Sequence, residues 1–263
     1  MGRRQSPNAR IFLGPNIDGK TVEGVVRRLG LGGGVDENEA NFGKSRRCAE
    51  SRGKQTMSGE TSRRLNAEFG DIDIYVFDQL LRGRIEHGMR ILDAGCGGGR
   101  NVFYLMRNAF DVWGVDESPD AVAAIRRQAA TIAPALDEDR FGVQSIEALS
   151  FDDAAFDVVI CGSVLHFAKG EPHWWAMVRQ LWRVLKPGGM LFTRLASTIG
   201  HESGVKPLGG RRYVMPDGNE RFLVDEAFLM TATAELGGKL LDPLKTTVVQ
   251  GMRSMTTWVV GKA

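Results

Sequence analysis

The chain has 263 residues, 43% of them hydrophobic and 25% charged, a balance that fills one good core and does not suit a disordered or fibrous polymer. No apolar run approaches the roughly 20 residues that span a bilayer, and the basic start Met1-Gly2-Arg3-Arg4 lacks the apolar stretch of a secretory signal, so no membrane partner is expected. Cys48, Cys96 and Cys161 are odd in number, far apart and without C-x-x-C spacing, which excludes a disulfide framework and a cysteine zinc site and makes a reducing cytoplasm the expected location.

The net charge of +2 is unevenly spread. Residues 1–56 carry 11 Lys/Arg against 6 Asp/Glu and hold 10 of the 33 glycines, without a sustained helix or strand period. They read as an irregular tail, or as sequence upstream of a true start at Met57; the other reading is a basic arm for an anionic partner. The remaining residues are mildly acidic, which weighs against a nucleic-acid partner, since such domains more often carry a basic face.

From 65 onward the texture is regular. Leu65, Phe69, Ile72, Tyr75, Val76, Leu80 and Leu81 predict N-terminal helices over about 60–87, interrupted at Gly70-Asp71. A strand is predicted at 89–94, a helix at 101–107 and a strand at 110–115. Ser118-Pro119-Asp120 opens a helix to about 130, with Ser118 as N-cap and proline at the first helical position. Strands follow at 141–145 and 156–161. The apolar positions 174, 175, 178, 181, 182 and 185 define a helix over 172–185, and after Gly188-Gly189 a fifth strand runs over 190–195. An insert over about 198–224 holds a hairpin whose turn is Pro216-Asp217-Gly218-Asn219. A helix at 225–236 precedes two strands, 240–249 and 255–260, too closely joined to be parallel. The whole, over 57–263, predicts one α/β domain: a Rossmann-like, mostly parallel seven-stranded sheet with helices on both faces and a C-terminal antiparallel hairpin.

The first strand runs into Asp93-Ala94-Gly95-Cys96-Gly97-Gly98-Gly99-Arg100. Glycines here allow a tight turn and let a ligand press on bare backbone. A dinucleotide site would want a third glycine where Arg100 stands, and Asp93 would face a pyrophosphate. Asp-x-Gly-x-Gly-x-Gly instead suits S-adenosylmethionine, which has no phosphate but carries a cationic ammonium and a cationic sulfur for Asp93. Its carboxylate would lie toward the helix N-terminus and Arg100. Asp116, 17 residues after Gly99 at the end of the second strand, is the candidate for the ribose hydroxyls.

These residues resemble the class I S-adenosylmethionine-dependent methyltransferases, over about 65–263. Glu147-Ala148-Leu149-Ser150-Phe151, then Phe156-Asp157-Val158-Val159, Val164-Leu165-His166-Phe167, and Leu181-Trp182-Arg183-Val184-Leu185-Lys186-Pro187-Gly188-Gly189 are similar to that family's later segments. The resemblance implies that Ser145 and Ile146 flank the adenine and that the Cys161 carbonyl lies near the methionine ammonium. The family often has Asp at the position of Ser145, and a backbone contact from Ile146 would replace it. Gly99-Arg100-Asn101 is similar to small-molecule methyltransferases of the tellurite-resistance type.

The implied function is in-line methyl transfer to a small-molecule acceptor, in which alignment of nucleophile, methyl and sulfur does most of the work. A base is needed only for a protonated acceptor of high pKa, and His166, just past the fourth strand, is the candidate; its alternative is a packed residue at a helix start. His173, Trp174 and Trp175 are candidates for an acceptor pocket, although both tryptophans fit the helix stripe. Arg211, Arg212 and Arg221 of the insert, which follows strand five, suit an acidic acceptor. His87 and His201 have no partners in sequence, and no metal-ligand spacing occurs. The rival readings are an RNA methyltransferase, a nicotinamide-dependent oxidoreductase and a non-enzymatic binding module. The first lacks Asn-Pro-Pro-Tyr, Asp-Pro-Pro-Tyr and Pro-Cys signatures, the second lacks the third glycine, and the third would not keep an intact donor loop.

Overall fold

A computed structural model describes the backbone of residues 51–263 and the side chains of 59–263. The expected tail therefore lies, over 1–50, outside the described residues. Helix α1 (Ser51–Phe69) begins inside the segment expected to be irregular. It ends at Gly70, whose positive φ of 63° closes a helix without a Cβ clash. Asp73 then caps α2 (Ile74–Leu81) by accepting a hydrogen bond from the Tyr75 N–H.

The sheet strands are β1 (Arg90–Ala94), β2 (Asp111–Asp116), β3 (Phe141–Val143), β4 (Phe156–Gly162) and β5 (Leu185–Ala196), all parallel. Between them lie α3 (Val102–Arg107), α4 (Pro119–Ile132) and α5 (Glu171–Val184). After α6 (Glu226–Glu235) come β9 (Gly238–Leu240), β10 (Lys245–Val249) and β11 (Arg253–Lys262), with β6 (Lys206–Gly209), β7 (Arg212–Val214) and β8 (Glu220–Phe222) forming a separate antiparallel meander before it. The main sheet runs β10-β11-β5-β4-β1-β2-β3, with β9 also on β11. β11 is antiparallel to β5 from Met255 opposite Ala196 to Gly261 opposite Met190.

Strand alternation sorts the core into two layers. Leu92, Val159 and Cys161 face a cluster built with Trp174, Val178 and Leu181 of α5 and Phe228 and Leu229 of α6. Ile91, Val158 and Ile160 face the other cluster, with Val76 of α2, Val102 and Leu105 of α3, and Val122 and Ile125 of α4. Helices on both faces are what a buried parallel sheet requires.

Several boundaries differ from expectation: β3 is short, the insert is a three-stranded meander rather than a hairpin, and a split strand gives the main sheet eight strands. The strand expected at 240–249 is broken into β9 and β10 around Asp242-Pro243, because proline has no N–H for the ladder. β5 starts five residues early, at Leu185, and the Pro187-Gly188-Gly189 stretch bulges between the Phe156–Leu185 and Val158–Met190 pairs. β1 is the strand from which the chain leaves first toward β2 and β3 and later toward β4 and β5. The crevice between the carboxyl ends of β1 and β4 is the place where open α/β sheets bind ligands.

Candidate functional site

That crevice opens into a cavity of about 540 Å³, within the range of small-molecule sites. Its floor is the glycine loop after β1. Gly95 sits at a φ of +80°, and a Cβ there would stand 2.3 Å from Val164 Cγ2, so only glycine lets the segment after β4 close on the loop. At Gly97 a Cβ would meet nothing within 4 Å: the backbone faces open cavity. Gly99 does not line the cavity; its missing side chain makes room for the Phe103 ring, which would lie 2.6 Å from a Cβ.

The loop is tied to the end of β2. The Gly95 and Cys96 N–H groups donate to the Val115 carbonyl at 2.8 and 3.0 Å. Asp116 accepts from the Gly97 N–H at 2.8 Å through Oδ2 and from the Ser118 N–H at 2.9 Å through Oδ1. Each of its oxygens keeps a lone pair for a ligand, and the residue lines the cavity.

Asp93 also lines the cavity yet is only 1% exposed. Burial, reinforced by the neighbouring Asp116 and Asp73 carboxylates, raises its pKa to about 7, against a weak opposing contact from Asn101 Nδ2 at 3.4 Å. Asn101 in turn accepts from the Asp73 N–H at 3.1 Å, so it links the donor loop to the cap of α2. Asp73 Oδ2 lies 3.0 Å from Arg194 Nη1 and 3.7 Å from Arg100 Nη1. Arg100 lines the cavity as expected of a donor residue, but part of its charge is already committed to Asp73.

Ile146 lines the cavity, and Ser145, Cys161 and His166 do not. β3 ends at Val143, two residues before its expected end, so Gln144 faces the cavity and Ser145 begins the 3-10 turn Ile146–Ala148. Cys161 is fully buried in the core, its thiol pushed far up by burial, and the cavity wall is made by Gly162 and Ser163, the next two residues. His166 corrects the expectation of a base. The 3-10 turn Leu165–Phe167 turns it under the wall, 8% exposed, with Nδ1 accepting from the Ala196 N–H at 3.4 Å. Burial, with the Arg221 charge nearby, lowers its pKa to about 4, so it is neutral at physiological pH. Phe167, 56% exposed, takes its place at the cavity.

His173 lines the cavity; Trp174 and Trp175 do not. Trp174 is fully buried against Phe228 and Trp258, ring centroids 4.8 and 6.0 Å away. His173 Nδ1 accepts from the Lys169 N–H at 3.0 Å, and Nε2 lies 3.3 Å from Glu147 Oε1. Neutral His173 therefore carries its proton on Nε2, toward Glu147. The Glu147 carboxyl is held below its usual range by a hydrogen bond to its own backbone, opposed by burial and aided by His173.

The insert does not line the cavity among the described residues; it touches the wall through Arg221, whose guanidinium lies 4.7 Å from the centre of the Phe167 ring. Of the three arginines expected to meet an acidic acceptor, Arg211 pairs with Asp225 at 2.8 Å and Arg212 with Glu220, which leaves Arg221. Asp73, Asn101 and Gln144 were not assigned a role from sequence. Asp73 had a signal, an acid directly before the apolar run of α2. No group of three or more His, Cys, Asp or Glu that could hold a metal occurs among the described residues.

Residues 92–193 match a family described as a methyltransferase domain. Over 106 residues the chain is 35% identical to the ubiquinone biosynthesis O-methyltransferase of Xanthomonas oryzae pv. oryzae (strain PXO99A), covering 40% of this chain and 42% of that one. Over 109 residues it is 35% identical to the malonyl-[acyl-carrier protein] O-methyltransferase of Enterobacter lignolyticus (strain SCF1), covering 41% and 39%. The chain thus spans about two-fifths of the length of these curated relatives. The crystal structure of magnesium protoporphyrin IX methyltransferase from Synechocystis PCC 6803 with bound SAM shares the fold, with a TM-score of 0.54, 16% identity, and 85% of this chain and 87% of that one covered.

Proposed function

We propose that the chain, whose residues 92–193 match a methyltransferase-domain family, is a class I S-adenosylmethionine-dependent methyltransferase that transfers a methyl group from S-adenosylmethionine to a small-molecule acceptor. The observation that carries this reading is Asp93: a nearly buried acid on the floor of a cavity, beside a glycine loop with open space at Gly97. An acid in that setting is costly unless a cation compensates it. A sulfonium amino acid supplies that cation, whereas a pyrophosphate would be repelled.

The donor would be held by Asp93 at its cationic end, by Asp116 at the ribose and by the wall at Ile146 and Gln144 for the adenine. When bound, it supplies a methyl group on positively charged sulfur, so the leaving group is neutral. The chain's own work is to hold an acceptor in line and keep water out. With His166 neutral and engaged beneath the wall, an acceptor that is already nucleophilic at physiological pH suits this site best. The two buried free cysteines, Cys96 and Cys161, suit a reducing cytoplasm.

The test is calorimetric titration of S-adenosylmethionine, S-adenosylhomocysteine and NADH into the wild type and Asp116→Ala, followed by a metabolite screen for S-adenosylhomocysteine release. Both adenosyl compounds are expected to bind, and Asp116→Ala to weaken them by about 1–3 kcal/mol, the scale for losing a charged acceptor. Binding of NADH alone would replace this reading with an oxidoreductase.

A further inference from the structure

We infer that the acceptor is a flat aromatic molecule bearing an anionic group, recognised by Phe167, Lys169 and Arg221. The inference rests on the methyltransferase reading and adds the acceptor's chemistry to it.

The cavity is electrically divided. Asp93, Asp116 and Glu117 line it on the side of β1 and β2, where the donor's cations belong. On the β4 side, Phe167 and Lys169 line the opposite wall. Phe167 is 56% exposed, a large apolar face presented at a cavity in a turn whose other members, Leu165 and His166, are buried. An exposed ring at a cavity wall offers a planar ligand a stacking surface.

Arg221 stands over that ring at 4.7 Å, reaching it from β8. Its Nη1 donates only to the adjoining Glu220 carbonyl at 2.8 Å. Asp217, in the exposed turn of the meander, feels the Arg221 charge without pairing with it. Lys169 likewise enters no ion pair with a described carboxylate, while Arg211, Arg212 and Arg194 all do. Glu147, the acid on this wall, is engaged with its own backbone and His173. Two cations without an ion pair to a described carboxylate thus share this wall with one exposed aromatic, Arg221 on the ring itself and Lys169 two residues further along the cavity lining. A guanidinium lying on a ring keeps its N–H edge free for a carboxylate or phosphate, which is the geometry that binds a planar anion. The donor does not need this cluster, because its own charges are met across the cavity.

Binding of 2-naphthoate, 2-naphthyl phosphate and 2-naphthamide to the protein saturated with S-adenosylhomocysteine tests this by calorimetry. At least one anion should bind ten or more times as tightly as the isosteric amide, and which one does so identifies carboxylate or phosphate. Arg221→Gln should bring that ratio to within about twofold while leaving S-adenosylhomocysteine affinity unchanged, since Arg221 reaches the cavity only at the Phe167 wall and the donor's polar groups face Asp93 and Asp116 on the opposite side. Raising salt from low to high should weaken the anion several-fold in the wild type, a readout that does not depend on any variant folding. Equal binding of anion and amide, no binding of any of the three to the loaded protein, or a preference that survives in both Arg221→Gln and Lys169→Gln overturns the assignment. Failure of S-adenosylhomocysteine itself to bind would instead remove the methyltransferase reading.

Discussion

Asp93 shows how a single carboxylate can link folding, pH and ligand. Its pKa rises from an ordinary 3.8 to about 7 in the folded chain, so between those values the native state keeps a proton that the unfolded state has released. Stability from this group is therefore greatest at low pH and falls as pH rises toward 7. A cationic donor favours the ionised form, so the sign for binding is the opposite: affinity should rise with pH up to about 7 and level off above. Titration at pH 6 in two buffers of different ionisation enthalpy should report proton release on binding, and Asp93→Asn should abolish both the release and the slope. A pH-independent affinity in the wild type would detach Asp93 from the donor. At this scale the glycines of the loop after β1 were legible because their information is local: the positive φ at Gly95 and Gly97 and the close approach of Val164 dictate glycine. The side chains of Ser145 and His166 do not line the cavity, because which residue at a strand's end faces it changes with a shift of one or two positions. β3 stopping at Val143 moved the role to Gln144, and the turn Leu165–Phe167 exchanged His166 for Phe167.

Among the elements, β11 does more than complete a hairpin. It lies between β5 and the outer strands β9 and β10, and its Trp258 reaches into the α5–α6 layer. Trp258 is fully buried, near-parallel to Trp174 at 6.0 Å, and its Nε1–H donates to Thr233 Oγ1 of α6 at 2.9 Å. Trp258→Ala should cost about 3–5 kcal/mol of stability, through lost burial, a cavity and the loss of the hydrogen bond that Thr233 Oγ1 accepts, although that hydroxyl keeps its own bond to the Leu229 carbonyl. Trp258→Phe should cost less, and donor affinity in the folded fraction should stay near wild type. Denaturant midpoints at constant m-value check this; a loss under about 1 kcal/mol would mean the layer repacks freely. The strand itself was readable from its apolar run. Its three neighbours were only partly so, since Pro243 splits what periodicity presents as one strand, and no local signal says that β9 and β10 lie end to end along the same edge.

For the molecule as a whole, strand–helix alternation carried the architecture. It places the switch between β1 and β4 and hence the cavity, because right-handed crossovers and short connections leave few other arrangements. The relation of the insert to that cavity is not local, and it bears on catalysis. The meander β6–β8 leans on the wall through Arg221 on Phe167, and its Met215 packs in a small separate cluster with Val205, Leu223 and Met255. Phe222 anchors the end of the meander in the main core beside Trp174 and Phe228, which leaves the exposed turn at 216–219 as the part with the fewest contacts and the one suited to act as a lid. Replacing residues 211–221 by a short Gly/Ser linker should lower Tm by a few degrees as the Met215 contacts are lost. It should leave S-adenosylhomocysteine affinity within a few-fold, because the proposed donor residues lie on or just after β1 to β4 and none lies in the meander. Turnover on the acceptor found by the metabolite screen should fall at least tenfold, since water then reaches the methyl and the wall at Phe167 is unsupported. Parallel loss of donor binding and turnover would make the meander part of the structural core, and full retention of both would make it a surface addition with no part in the reaction.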